Sequence, residues 1–381
     1  MLLWLLAVVA SANDGSFCVN GNQLVPVNET EVAVTKEVLT ITLGDDGYAQ
    51  VDVQYEFTNR GAAKTIDVGF EAQAPYNTGE NALGADGHPF IHDFTITMNG
   101  ERLTYRTAVV KGGTEEEPTN FKPLNMKEWR LPTGNDEEDY GSSLVNIKTK
   151  EYMNYSVAYL FKANFKAGKN TVHHTYRYQT SSGVYQHFNV PYWLKPAMRW
   201  ANHQIDDFTL RIKVENTAKQ FCLSNDDMWK GAQWRVTSGT GKVHIIKGAW
   251  EAGTEYVEFS LRNGTVEWHG RNFRPDSDFA IISPDMVLFY RDDFKLGRFY
   301  DRTATVLVPF DKMTGDDQSV GTTSGIANSR ILRNLPYASR GYVFKDPKLA
   351  AYFKSLWWYM PDPSWQQSTA DFTEEERELI K

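Results

Sequence analysis

Apolar and polar residues alternate with a period of two along much of the chain. Leu39, Ile41 and Leu43 alternate with Thr40 and Thr42, Gly44-Asp45-Asp46-Gly47 supplies turn chemistry, and Ala49, Val51, Val53, Tyr55 and Phe57 then take every second position. Gln50, Asp52, Gln54 and Glu56 lie between them. Successive side chains on a strand point to opposite faces, so the pattern predicts a hairpin with one buried and one wet face. After Asn59-Arg60-Gly61 the period returns in Ile66, Val68 and Phe70; Phe94, Ile96 and Met98 end at Asn99-Gly100, followed by Leu103 and Tyr105. Asn-Gly accepts the positive φ that tight hairpins require.

Strand patterning resumes with Tyr155, Val157, Tyr159 and Phe161, then Val172, His174, Tyr176 and Tyr178, and most cleanly with Phe208, Leu210, Ile212 and Val214. "KVHIIKGAW", "YVEFSL", "TVEWHG" and "FAIISP" are further strand-like pieces. Short antiparallel strands of this kind predict a mainly β fold, with one or two immunoglobulin-like antiparallel β-sandwiches followed by a small α-helical C-terminal module. The expected divisions are a β-sandwich over 13–110, an acidic junction over 111–145, a second β-sandwich region over 146–310, a polar linker over 311–325 and the helical module over 326–381. One large two-sheet domain would satisfy the same pattern.

Helix punctuation appears only near the end. Asn328 or Ser329 is placed to cap a short helix that Pro336 should end or kink, and Gly341 offers a left-handed stop. Asp346-Pro347 is a stronger start, with Leu349, Tyr352, Phe353 and Leu356 at helical spacing after it. Thr373 followed by Glu376 reads as a capping box. So small a unit has little else to bury than its rings, so Tyr337, Tyr342, Phe344, Tyr352 and Phe353 are expected in its core. Arg333, Ser339, Arg340 and one of Trp357 and Trp358 are expected to face outward as binding residues.

At the other end, "LLWLLAVVA" over residues 2–10 is too short to span a bilayer and runs into Ala10-Ser11-Ala12, a small-residue cleavage pattern. It lacks a positive residue before it. The expectation is a signal peptide over 1–12, a mature chain starting near Asn13 with no membrane span, and a periplasmic or secreted location. In an oxidising compartment Cys18 and Cys222 could pair; two buried thiols are the alternative.

Composition narrows the chemistry. A formal charge of −8, with no basic stripe among the aromatics, argues against nucleic acid. There is no H-E-x-x-H, no G-x-S-x-G, no P-loop and no C-x-x-C, so neither an enzyme, a cofactor nor a metal site is expected. His88, His92 and Asp93 could gather at an ion, but His173 and His174, as strand neighbours, should face opposite ways. The segment 192–208 is the main alternative. Trp193, Arg199, Trp200 and His203 could form an aromatic platform for a carbohydrate or a glycan-active site, or simply pack in a rigid turn.

Leu332-Arg333-Asn334, Tyr337, Ala338, Gly341, Tyr342, Phe344, Tyr352-Phe353 and Trp358-Tyr359 together resemble the YARHG domain, over roughly residues 328–381. Ser339 stands where the naming motif has Arg, and Arg340 where it has His. Asn13 to Ser16, "ETEVAVTKEVLTI" and "VQYEFTNRG" more faintly resemble β-rich exported domains that precede this module. The resemblance implies an extracytoplasmic bacterial protein that binds a ligand, an envelope component or a protein partner, and it implies no catalytic activity. A structural subunit completing an envelope assembly by strand addition is a third expectation.

Overall fold

The computed structural model describes residues 24–26, 31–73, 87–113, 119–132, 143–183, 186–224, 226–247, 255–283, 296–297, 306, 308–311 and 319–381. The expected signal peptide, Cys18, residues 114–118 and 133–142 of the acidic junction and residues 312–318 of the polar linker lie outside them.

Thirteen principal strands build the β region. They are β1 (Val32–Leu43), β2 (Tyr48–Asn59), β3 (Lys64–Gln73), β4 (Ile91–Met98), β5 (Arg106–Lys111), β6 (Tyr152–Phe165) and β7 (Gly168–Gln179), then β8 (Gln186–Tyr192), β9 (Ile205–Val214), β10 (Lys219–Leu223), β11 (Arg235–Lys247), β12 (Glu255–Phe273) and β13 (Phe279–Ile282). The large sheet runs β8, β13, β10, β12, β9, β1, β2, β7, β4, with β11 along the other side of β12. A smaller sheet contains β3, β6 and β5. The mainly antiparallel β architecture with a small helical C-terminal region is the expected class.

Phe70 of the small sheet packs on Phe94, His174 and Tyr176 of the large one, so the two sheets face each other across a shared core. That core is contiguous from Val32 to Ile281. β6 pairs with β3 and β5, and β7 with β2 and β4. Strands from both sides of 111–145 therefore alternate within the same two sheets instead of forming two sandwiches in series. The β9–β1 pair is parallel and joins the N-terminal hairpin to the later strands.

One irregularity decides which side chains face outward. The β1–β2 ladder shifts register between Val34 and Lys36, and Thr35 Oγ1 donates to the Glu56 carbonyl at 3.0 Å. A bulge inserts one residue and flips the side-chain alternation beyond it. Val32 and Val34 face the core before it, while Glu37, Leu39, Ile41 and Leu43 do so after it. Lys36 is thereby turned to the outer face, and Glu37 is carried into the interior opposite Tyr55.

The C-terminal helices are α1 (Asn328–Ser339), α2 (Pro347–Ser355) and α3 (Glu374–Leu379). Pro336 does not end α1, which continues to Ser339. Nor does Asn328 cap it. Its buried side chain instead accepts from Thr323 Oγ1 and donates to the Val320 carbonyl, tying the helix start to the preceding hairpin. The stop is at Gly341, with φ +88°: Gly341 N–H donates to the Ala338 carbonyl and Tyr342 N–H to the Tyr337 carbonyl, the paired bonds of a Schellman motif. A Cβ there would also lie 2.1 Å from the Arg262 guanidinium. Asp346 accepts from Leu349 N–H at the start of α2, and Thr373 with Glu376 closes the expected capping box on α3.

Candidate functional site

The module's expected binding residues divide sharply. Arg333 is exposed on α1 and Trp357 is half-buried. Arg340, expected to face outward, is only 6% exposed. Its guanidinium makes a bidentate pair with Glu376 at 2.9 and 2.8 Å, donates to the Pro336 and Asp371 carbonyls, and lies 4.3 Å over the Phe372 ring. A planar fork with five donors suits such a buried clamp, which ties the end of α1 to α3. Ser339 is buried too, its hydroxyl donating to the Pro336 carbonyl. Trp358, 2% exposed, belongs to the module core with Phe344, Tyr352 and Phe353, whereas Tyr337 and Tyr342 only pack against it half-buried.

The segment Trp357–Met360 is held on the β11–β12 ribbon, and all four of its carbonyls accept from the sheet. Lys242 Nζ donates to Trp357 at 2.7 Å and to Tyr359 at 3.1 Å, Ser260 Oγ to Trp358 at 3.4 Å, and Arg262 to Met360. Lys242 and Ser260 are directly opposite in the ladder, and Arg262 lies on the same face of β12. Trp357 also packs on the His244 ring at 5.2 Å, and Ala218 N–H donates to the Ser339 carbonyl at 3.1 Å. The module is thus docked on the β region, not suspended from it.

In the aromatic turn at 192–208 Trp200 is not available as a platform ring. Trp200 is 1% exposed, packed on Phe57 at 4.6 Å and Phe165 at 6.1 Å. Trp193 is half-buried, and Asp278 accepts from the Leu194 and Lys195 N–H groups beside it. Exposed His203 hydrogen-bonds the Met198 carbonyl through Nδ1. Arg199 lies over the Phe121 ring at 5.9 Å, near the buried Glu71. Burial pushes the Glu71 carboxyl upward, although it accepts from the Thr119 and Ser156 hydroxyls. A core role for Trp200 makes a definite prediction: Trp200→Ala should cost about 3–5 kcal/mol. Urea unfolding followed by circular dichroism would check it, and an unchanged midpoint would contradict the packing role.

His173 and His174 do face opposite ways. His173 bonds Asp52 on the outer face at 2.9 Å, and His174 is fully buried. Among the described residues no group of three or more His, Cys, Asp or Glu side chains could hold a metal ion. Cys222 is buried on β10.

The outer face of the large sheet is the surface whose chemistry single elements did not reveal. Strand register aligns His269, Thr209, Val38, Gln54, His173 and Thr97 in one row across six strands. The next row holds Glu267, Arg211, Thr40, Asp52, Thr175 and Thr95. Ion pairs brace the face, Lys169–Glu56 at 2.8 Å and Arg211–Glu267 at 2.7 Å, and His269 shares a hydrogen bond with Asp207 at 2.9 Å. Beside the Val34/Lys36 bulge it opens into a depression of about 390 Å³, lined in part by Lys36, Val38, Gln54, Glu56, Thr171 and His173. The Gln50-Asp52-Gln54-Glu56 alternation was the readable trace of this face; its partners on β7 and β9 are remote in sequence.

Comparison with known proteins agrees with this architecture. Residues 317–381 match the YARHG domain, and residues 12–117 match a domain of unknown function, DUF4424. No curated protein matches the sequence. Among solved structures, a "putative nutrient binding protein" from Legionella pneumophila is similar at 19% identity and TM-score 0.50, over 97% of this chain and 98% of that one. At that identity the likeness is one of fold alone. An M1 zinc metallopeptidase from Deinococcus radiodurans overlaps 64% of this chain and 43% of its own at 9% identity, with a TM-score of 0.24.

Proposed function

We propose that this chain is a non-enzymatic, exported binding protein of the bacterial cell envelope, whose rigid β body holds a small polar solute on the outer face of the large sheet. The observation that carries this reading is the depression beside the β1 bulge, where hydrogen-bonding side chains from three paired strands converge on one concavity. Sites on paired strands are held in place by the ladder itself, which favours recognition over induced closure. The description given to the Legionella pneumophila protein supports a binding role, and the typically extracellular setting of YARHG domains supports export. Among the described residues no helix is long and apolar enough to cross a membrane. The docked module acts in this reading as a buttress for the β11–β12 ribbon, with exposed Arg333 and half-buried Trp357 left as its outward contacts to an envelope component.

The test is a thermal-shift screen of the full chain against amino acids, short peptides, sugars and organic acids. A ligand at one hundred times its Kd should add about 2.7 kcal/mol of stability. A chain that no compound stabilises would overturn the reading. Sequencing the N-terminus of protein recovered from the cell exterior should place the mature start near Asn13.

A further inference from the structure

We infer that the depression beside the β1 bulge is a carboxylate site, with Lys36 as the group that receives the anion. This rests on the binding role proposed above and adds the chemical class of the ligand.

The assignment follows from which charges on the face already have partners. Glu56, the carboxylate that lines the depression, is paired with Lys169 at 2.8 Å, while Asp52, outside it, shares a hydrogen bond with His173 at 2.9 Å. Lys36, inside the same depression, has no ion pair or side-chain hydrogen bond among the described residues, although it stands opposite Glu56 in the ladder. The concavity therefore offers one uncommitted cation beside a carboxylate whose charge is already answered by Lys169. A bound anion completes that balance, while a bound cation would have to displace an existing pair.

The bulge is what presents this cation. Without the extra residue at Thr35, regular alternation would turn Lys36 toward the core with Val34. Bulges commonly re-aim a side chain at a functional position. Around Lys36, Thr171 and Gln54 supply hydroxyl and amide groups for a polar substituent, and half-buried Val38 supplies an apolar patch for a short carbon skeleton. The match is a small aliphatic carboxylate bearing a hydroxyl or amino group. A neutral sugar fits less well, because no Trp or Phe lines the depression and Tyr55, which does, has its ring in the core.

Isothermal titration of the full chain at low ionic strength, with acetate, L-lactate, glycine, L-glutamate, D-gluconate and neutral D-glucose, tests the assignment. At least one hydroxy- or amino-carboxylate should bind, and Lys36→Gln should weaken it tenfold or more. Lys36→Arg should retain most of the affinity. Lys213→Gln, on the same face but paired with Glu215, should leave it unchanged. Thermal melts would confirm that each variant folds. Carboxylate binding that survives Lys36→Gln would overturn the proposal. Binding of glucose alone would also overturn it while leaving a binding function standing. If none of the probes binds, and the wider solute screen is also empty, both readings fall.

Discussion

Replacing Arg340 by alanine should destabilise the C-terminal module by about 3–5 kcal/mol, the usual cost of leaving one member of a buried ion pair behind. Glu376 would stay buried on α3 with, among the described residues, only the Thr373 N–H, at 3.0 Å, donating to its side chain. The same change takes the guanidinium donors from the Asp371 carbonyl and from the Pro336 carbonyl, which keeps the Ser339 hydroxyl, and removes the cation over Phe372. A loss of this size is a large part of the 5–15 kcal/mol that holds a typical domain together. Urea unfolding followed by tryptophan fluorescence is an apt readout, since Trp357, Trp358 and Trp365 all lie in this unit. The double replacement Arg340→Met with Glu376→Met should lose much less, because no charge is stranded. Were Arg340→Ala to unfold at the wild-type midpoint, the clamp would not be what joins α1 to α3.

The second large effect concerns acid. His174 is wholly enclosed, with Phe70, Phe94, Tyr55 and Tyr176 within ring-contact distance, and neither of its ring nitrogens finds a hydrogen-bond partner. Burial, aided by the charge of neighbouring His173, brings its pKa down from 6.5 to about 3. Between those values the unfolded chain takes up a proton that the folded chain refuses. Stability is therefore present above pH 6.5 and is lost as pH falls, at roughly 1.4 kcal/mol per unit and about 4–5 kcal/mol in all. His174→Phe keeps a flat ring of similar size and removes that proton. Its stability relative to wild type should rise steadily between pH 7 and pH 4, measured as paired urea midpoints. A difference that stays constant over that range would show that His174 is not the acid-sensitive group. This sensitivity is a property of the core and is separate from the depression on the opposite face of the sheet.

Local chemistry was readable wherever it acts over a few residues. The hairpin at Gly44–Gly47, the left-handed Gly341, the Asp346-Pro347 start and the Thr373–Glu376 box all appear as the residues imply. Each is settled by backbone geometry within one turn. The outward placement of Arg340 was not readable, because α3 supplies its partner from 36 positions away. The same holds for Trp200, whose surroundings come from β2 and β6. Pro336 alone implies an end or a kink, because its ring removes one N–H and crowds the preceding turn. The packing of Ile331, Leu332, Leu335 and Ala338 into the module core carries the helix past it.

What the sequence alone determined was which residues prefer strand or helix and which face of each strand is apolar, since alternation and capping are short-range. Which strands become neighbours was decided only in the tertiary structure. The return of β6 and β7 to the N-terminal strands and the parallel docking of β9 on β1 depend on contacts between segments far apart in the chain. The bulge at Thr35 belongs to the same class. Nothing in "VTKEV" says whether Lys36 or its neighbour faces water until β2 is alongside, and the apolar demand of the shared core then sets the register and turns Lys36 outward.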